Sequence, residues 1–169
     1  GTVSRRPLPC DPIAEARRQW VAHGWGEAAG GMAVVTSLMR AQQIVLARVE
    51  EVLRPHELTF ARYEVLMLLL FCRNGSLPLS QVGDRLQVHP ASVTNVIDRL
   101  EGQRLVRRVP HPGDRRATLA EITDAGRHLA DVATRDLNRT VFAAPGLPDD
   151  DVDLLVSVLR TMRRTAGDF

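Results

Sequence analysis

Between Arg99 and Arg116 the chain carries Arg99, Arg104, Arg107, Arg108, Arg115 and Arg116 against only Glu101 and Asp114. Guanidinium groups at this density suit phosphate oxygens and base edges, because each presents a rigid fork of donors. The stretch PHPGDRRATLAEIT, Pro110 to Thr123, places part of that charge on a turn stiffened by Pro110, Pro112 and Gly113. The β-compatible segments LVRRV and ATLAEI flank it, so PHPGDRR reads as the tip of a β-hairpin. Asp114 is placed to hold a neighbouring arginine extended, which makes the hairpin a preorganised carrier of positive charge.

The formal net charge of the 169 residues is only +2, so attraction to a polyanion must come from where the charges sit. All 22 basic residues are arginine. Codon usage in a GC-rich genome is a plainer account of that choice than nucleic-acid recognition, so position carries the argument. Catalytic patterns are absent: His23, His56, His89, His111 and His128 form no HExxH or paired metal-ligand spacing, and no G-x-S-x-G or glycine-rich phosphate loop occurs. No enzyme, metal or cofactor is expected. Cys10 and Cys72 form neither a disulfide framework nor a CxxC pair. The apolar run EVLMLLLFC is too short to span a membrane, and the N-terminal residues lack a signal-peptide core, so a cytoplasmic protein with no membrane partner is expected.

The elements that must position the arginines follow from periodicity and capping. Asp11 caps a short helix with Pro12 at its first position. Gly30 and Gly31 are expected to break the chain before a long amphipathic helix bearing Val35, Leu38, Met39, Val45, Leu46, Val49, Val52 and Leu53. Thr59 caps FARYEVLMLLLFC, apolar nearly all round and so a buried central helix. Turn residues RNGSLP lead to LSQVGDRLQV, with Ser80 as cap, and then to HPASVTNVIDRLEGQRL, where Val93, Ile97 and Leu100 face the core. Ala91, Ser92, Asn95, Asp98 and Arg99 lie on the opposite face. Two short helices followed by a basic hairpin make a winged helix-turn-helix. Thr123 caps the next helix, and DDDVDLLVSVLRTMRRT forms the last, with aspartates in its first turn and arginines in its last. The expected class is mainly α with a small β-wing. The expected organisation is an extended or disordered N-terminus over 1–10, N-terminal dimerisation helices over 11–58, the winged DNA-binding domain over 59–122, and C-terminal dimerisation helices over 123–169.

The stretch DRRATLAEITDAG resembles the D-x-R-x-x-x-x-x-x-T-x-x-G signature of the MarR (multiple antibiotic resistance regulator) family through Asp114, Arg116, Thr123 and Gly126, with Ile122 where leucine is usual. The order of helices and wing along nearly the whole chain is similar too. The resemblance implies a homodimeric transcription regulator, usually a repressor, on a pseudo-palindromic operator in double-stranded DNA. It implies that Arg116 enters the minor groove braced by Asp114, with Arg115 and His111 alongside. Ser80, Pro90, Ala91, Ser92, Thr94, Asn95 and Arg99 approach bases or phosphates in the major groove. Asp98 would be repelled by phosphates, so a nearby arginine is expected to neutralise it.

Family members often release DNA when a small anionic aromatic effector binds. The extra N-terminal helix with Trp20 is similar to that of the urate-responsive subgroup, Glu64 matches that subgroup's aspartate in kind, and Arg108 matches a wing-strand arginine. Val96 stands where a further arginine would be, which speaks against urate itself. Tyr63, His23 and Arg40 complete the candidate effector set. Each has a plainer reading: Trp20 as a packing anchor, Glu64 as a surface carboxylate, Arg108 as a phosphate contact. Two rival functions stay open: a thiol-based redox regulator acting through Cys10 at a helix start, and a winged helix used for protein contact without specific DNA binding.

Overall fold

The computed structural model describes residues 6–86 and 89–169. Residues 1–5 of the expected N-terminal extension, and Gln87 and Val88 at the expected end of the first helix-turn-helix helix, lie outside the described residues. The chain divides into two compact units, residues 1–48 and 49–169.

In the first unit, α1 (Pro12–Ala22) starts as the capping pattern dictates, with the Asp11 carboxylate accepting the Ile13 N–H at 3.0 Å. Helix α1 ends before Gly24, whose φ of 81° lies in the left-handed region that an L side chain rarely enters. From Gly26 the helix α2 (Gly26–Leu53) runs straight through Gly30 and Gly31, so the expected break there does not occur. Two helical glycines cost about 1 kcal/mol each against alanine, but they are flanked by the good helix formers Ala28, Ala29, Met32 and Ala33. The break falls instead where backbone geometry needs a glycine. Along α2 Val34, Val35, Met39, Ile44, Val45 and Leu46 are exposed.

The second unit begins with the last turn of α2, where Val49 and Leu53 are buried. A 3₁₀ turn over Arg54–His56 leads to α3 (Phe60–Phe71), β1 (Ser76–Pro78), α4 (Leu79–Leu86) and α5 (Pro90–Gly102). Then come β2 (Val106–His111), β3 (Asp114–Ile122), α6 (Asp124–Leu137), one π-helical turn over Asn138–Phe142, and α7 (Asp149–Thr165). The strands form an antiparallel sheet in the order β1-β3-β2, with Leu77 opposite Ala120 and Val106 opposite Ile122. Leu66 and Leu69 of α3, Val82 of α4, Ile97 and Leu100 of α5, Ala120 of β3 and Leu137 of α6 are fully buried in one core. Burying a leucine or isoleucine side chain stabilises by roughly 1.5–3 kcal/mol, so α3 is the hub on which the wing, α5 and α6 are organised.

Three local expectations change. Strand β1 stands where only a turn was anticipated, because three residues are too few to show alternation and its pairing with β3 is long-range. Ser80 lies inside the first turn of α4, which begins at Leu79, so it does not cap the helix. Phe71, at the end of the otherwise buried α3, is 78% exposed.

The corner where β3 enters α6 is tightly built. Thr123 Oγ1 accepts the Gly126 N–H at 3.0 Å and donates to the Arg104 carbonyl at 2.8 Å, and the Thr123 N–H donates to the Leu105 carbonyl. A Cβ at Gly126 would sit 2.2 Å from the Leu105 carbonyl oxygen and 2.8 Å from Ile122 Cγ1. Gly126→Ala should therefore cost roughly 2–4 kcal/mol in denaturant unfolding, because one obstacle is backbone. Gly102→Ala, where a Cβ meets nothing within 4 Å, should be neutral or stabilise by up to about 1 kcal/mol.

Candidate nucleic-acid interface

The helix α5 is amphipathic as its spacing requires. Val93, Ile97 and Leu100 are buried, while Ala91, Ser92, Thr94, Asn95, Asp98 and Arg99 are exposed. Pro90 occupies the first helical position, and His89 is the N-cap, its Nδ1 accepting the Ala91 N–H at 3.1 Å. The Thr94 hydroxyl turns back to donate to the Pro90 carbonyl at 3.2 Å, so its proton is not directed outward. Ser92, Asn95 and Arg99 are the polar groups that α5 presents freely, and Ser80 is exposed on the neighbouring α4.

The hairpin turn is tighter than the composition implied, with Pro112 and Gly113 alone joining β2 to β3. Arg115 and Arg116 consequently lie on strand β3, both exposed, rather than in the turn itself. His111 Nδ1 accepts the Gly113 N–H at 2.9 Å. Asp114 accepts the Arg116 backbone N–H at 2.9 Å. The brace thus acts on the main chain at Arg116: a short carboxylate reaches an amide two residues on more easily than a long guanidinium.

Asp98 has its arginine. Arg108 Nη2 donates to Asp98 Oδ1 at 2.6 Å, Arg108 Nη1 donates to Glu101 Oε1 at 2.8 Å, and the Arg108 backbone N–H donates to Glu101 Oε2 at 3.0 Å. One wing residue therefore grips two carboxylates one turn apart on α5. Burial works against the Arg108 charge, but hydrogen bonds and attraction from Asp98 and Glu101 outweigh it and push its pKa up. Arg107 pairs with Glu121 across the hairpin at 2.8 Å. Of the basic cluster, Arg99, Arg104, Arg115 and Arg116 are exposed and have no ion-pair partner among the described residues.

The candidate effector residues are distributed over both units. In the first, Trp20 packs edge-to-face on Trp25 at 5.4 Å, and His23 stacks on Trp25 while its Nδ1 meets the Gln19 carbonyl at 2.8 Å. Arg40 is exposed on α2, and Cys10 is exposed just before α1. In the second unit Tyr63 is 6% exposed with its hydroxyl 2.7 Å from Thr134 Oγ1, so it is a core residue with its polar end satisfied. Glu64 is half-buried, and burial pushes its carboxyl pKa up. An anion reaching Arg108 would have to compete with Asp98 and Glu101. Sequence reasoning missed the contact of His56 Nε2 with Asp136 Oδ2 at 2.7 Å, which ties the 3₁₀ turn to α6. The His56 hydrogen bond is the main cause that holds the Asp136 pKa low, with burial opposing it and Arg139 assisting. The pair is 80 residues apart in sequence, beyond any local pattern. No helix among the described residues is long and apolar enough to cross a membrane, and no His/Cys/Asp/Glu group among them could hold a metal ion.

Comparison with known proteins agrees with this geometry. Residues 58–118 match the model of the MarR family. The chain is 36% identical over 133 residues to the HTH-type transcriptional regulator MhqR of Bacillus subtilis, covering 78% of this chain and 90% of that protein. Among solved structures, Sco5413, a MarR family transcriptional regulator from Streptomyces coelicolor, is 48% identical with a TM-score of 0.77, over 83% of this chain and 97% of the other. BpsR of Bordetella bronchiseptica, whose DNA binding is regulated by 6-hydroxynicotinic acid, is 28% identical with a TM-score of 0.69, over 76% of this chain and 91% of its own.

Two outcomes test the electrostatics. Arg108→Ala removes both ion pairs to solvent-exposed carboxylates and should cost about 0.5–1 kcal/mol, with faster amide hydrogen exchange along β2; Arg108→Lys, lacking the fork, should recover only part of it. Because burial raises the Glu64 pKa in the folded state, its favourable contribution is present below the unfolded pKa and lost as pH rises through the folded one. Glu64→Gln should therefore gain stability over the wild type on going from about pH 4 to pH 7, read by unfolding at both values.

Proposed function

Since this chain belongs to the MarR family, we propose that it is a homodimeric, effector-released repressor that reads a pseudo-palindromic operator through α5 and the wing. It is a DNA-binding transcription regulator of the winged helix-turn-helix class. The observation that carries the proposal is the pairing of a small, polar outer face on α5 with a wing whose Arg115 and Arg116 remain unneutralised. Ser92, Asn95 and Arg99 are assigned to the major groove. Pro90 and Ala91 are assigned close approach, and Ser80 and Thr94 supporting contacts to the backbone. Arg116, with Asp114 fixing its main chain and Arg115 and His111 beside it, is assigned to the minor groove, whose negative potential attracts guanidinium groups.

Two further features support the wider reading. The exposed apolar residues of α2, and Leu154, Leu155, Val156 and Val158 of α7, are of the kind a second copy would cover. Release by a small aromatic carboxylate is suggested by BpsR; Trp20, His23 and Arg40 are candidate contacts within the first unit and Glu64 within the second, while Tyr63 and Arg108 are already engaged by Thr134 and by Asp98 and Glu101. The activity needs no catalysis, and its place is the cytoplasm, where the operator is.

Anisotropy titrations of wild type and Arg116→Ala against labelled duplex from upstream of its own gene, at several salt concentrations, test this reading. Wild type should bind tightly with steep salt dependence. The variant should lose roughly 1–3 kcal/mol of discrimination against random duplex, and each lost phosphate contact lowers the log-log salt slope by about one. Binding by neither protein to this DNA or to selected genome fragments would favour a protein-contact module.

A further inference from the structure

The N-terminus of a DNA-reading helix ordinarily offers free amides to a phosphate. In α5 those amides are already engaged. Pro90 has no N–H, the Ala91 N–H donates to His89 Nδ1, and the Ser92 and Val93 N–H groups both donate to the His89 carbonyl at 2.8 and 3.1 Å. Nor do the first two side chains, those of Pro90 and Ala91, carry a donor. Ahead of the Ser92 hydroxyl, the exposed imidazole of His89 is the hydrogen-bonding side chain at the cap itself.

The cap defines what that imidazole can do. A ring whose Nδ1 accepts from an amide carries its proton on Nε2, so His89 presents one neutral N–H directed away from the helix. Histidine is an unusual cap; serine, asparagine and aspartate are the strong ones. At this position an aspartate would stabilise the helix and repel the phosphate, and a serine would cap without reaching outward. An imidazole accepts on one side and donates on the other. The wing repeats the device, with His111 Nδ1 accepting from the Gly113 N–H two residues on and its Nε2 left as the donor.

We propose that His89 is a further DNA contact of this protein, donating Nε2–H to a backbone phosphate at the start of α5 and so relaying outward the cap that closes the helix amides. The inference rests on the DNA-binding reading above. It predicts a contact without charge, whose loss weakens affinity while leaving the number of released counterions unchanged.

Anisotropy with the upstream duplex and with random duplex at several salt concentrations, beside thermal unfolding, on full-length His89→Ser, His89→Asn and His89→Asp, tests it. All three side chains cap, so Tm should stay within a few degrees of wild type. His89→Ser should bind about three- to tenfold more weakly per recognition helix, equally on both duplexes and with an unchanged salt slope. His89→Asn, which keeps a donor, should recover part of the loss. His89→Asp should bind weakest although its helix is the best capped. Affinities of the Ser and Asp variants equal to wild type would overturn the contact. A loss confined to the upstream duplex would overturn its assignment to phosphate in favour of a base edge. Arg116→Ala is the control that separates the failures: if it weakens binding and the His89 variants do not, only this inference falls; if wild type binds no duplex, the DNA-binding reading falls with it.

Discussion

The grip of Arg108 on Asp98 and Glu101 is the constraint on which the interface depends. A recognition helix and a wing touch DNA in different grooves, so their spacing must be set before contact or be ordered at the expense of affinity. Arg108 sets it from the wing side, with two guanidinium nitrogens and the backbone N–H all donating to carboxylates one turn apart on α5. The same bonds remove a second difficulty. Asp98 and Glu101 lie on the exposed part of α5, where unpaired carboxylates would oppose phosphates. One residue both neutralises the helix and aligns it.

A second tie acts on the other end of the hairpin. Thr123 bonds to the Arg104 carbonyl just past the end of α5 and caps α6, and Gly126 gives the Leu105 carbonyl the room to approach. The two family-signature residues that follow the wing thus serve packing, whereas Asp114 and Arg116 at its beginning face outward. Below both ties the buried apolar side chains of α3, α4, α5 and β3 supply the cohesive energy. Charge decides orientation and apolar burial decides stability.

The arrangement also shows why the arginine count overstated the outward charge. Arg107 is balanced by Glu121 and Arg108 by Asp98 and Glu101, which leaves Arg99, Arg104, Arg115 and Arg116 to generate the local positive field. In a chain of net charge +2 a small unpaired set on one face is what a polyanion can sense. Paired arginines contribute architecture, and unpaired ones contribute recognition.

What the sequence determined by itself is whatever depends on neighbours within a turn or two. The caps at Asp11, Thr59 and Thr123, the buried period Val93, Ile97, Leu100, and the hairpin punctuated by Pro112 and Gly113 were all legible, because caps, helical faces and turns are local interactions. The fold class followed from them. Tertiary structure decided the rest. Gly30 and Gly31 were absorbed into α2 while the helix break fell at Gly24, three-residue β1 exists only because β3 lies beside it, and His56 finds Asp136 across 80 positions. Whether Arg108 met a ligand, a phosphate or a carboxylate was likewise undecided by spacing. A guanidinium pairs with whichever anion the fold brings within reach, and that proximity is set by the packing of α5 against the wing rather than by any residue's neighbours in the chain.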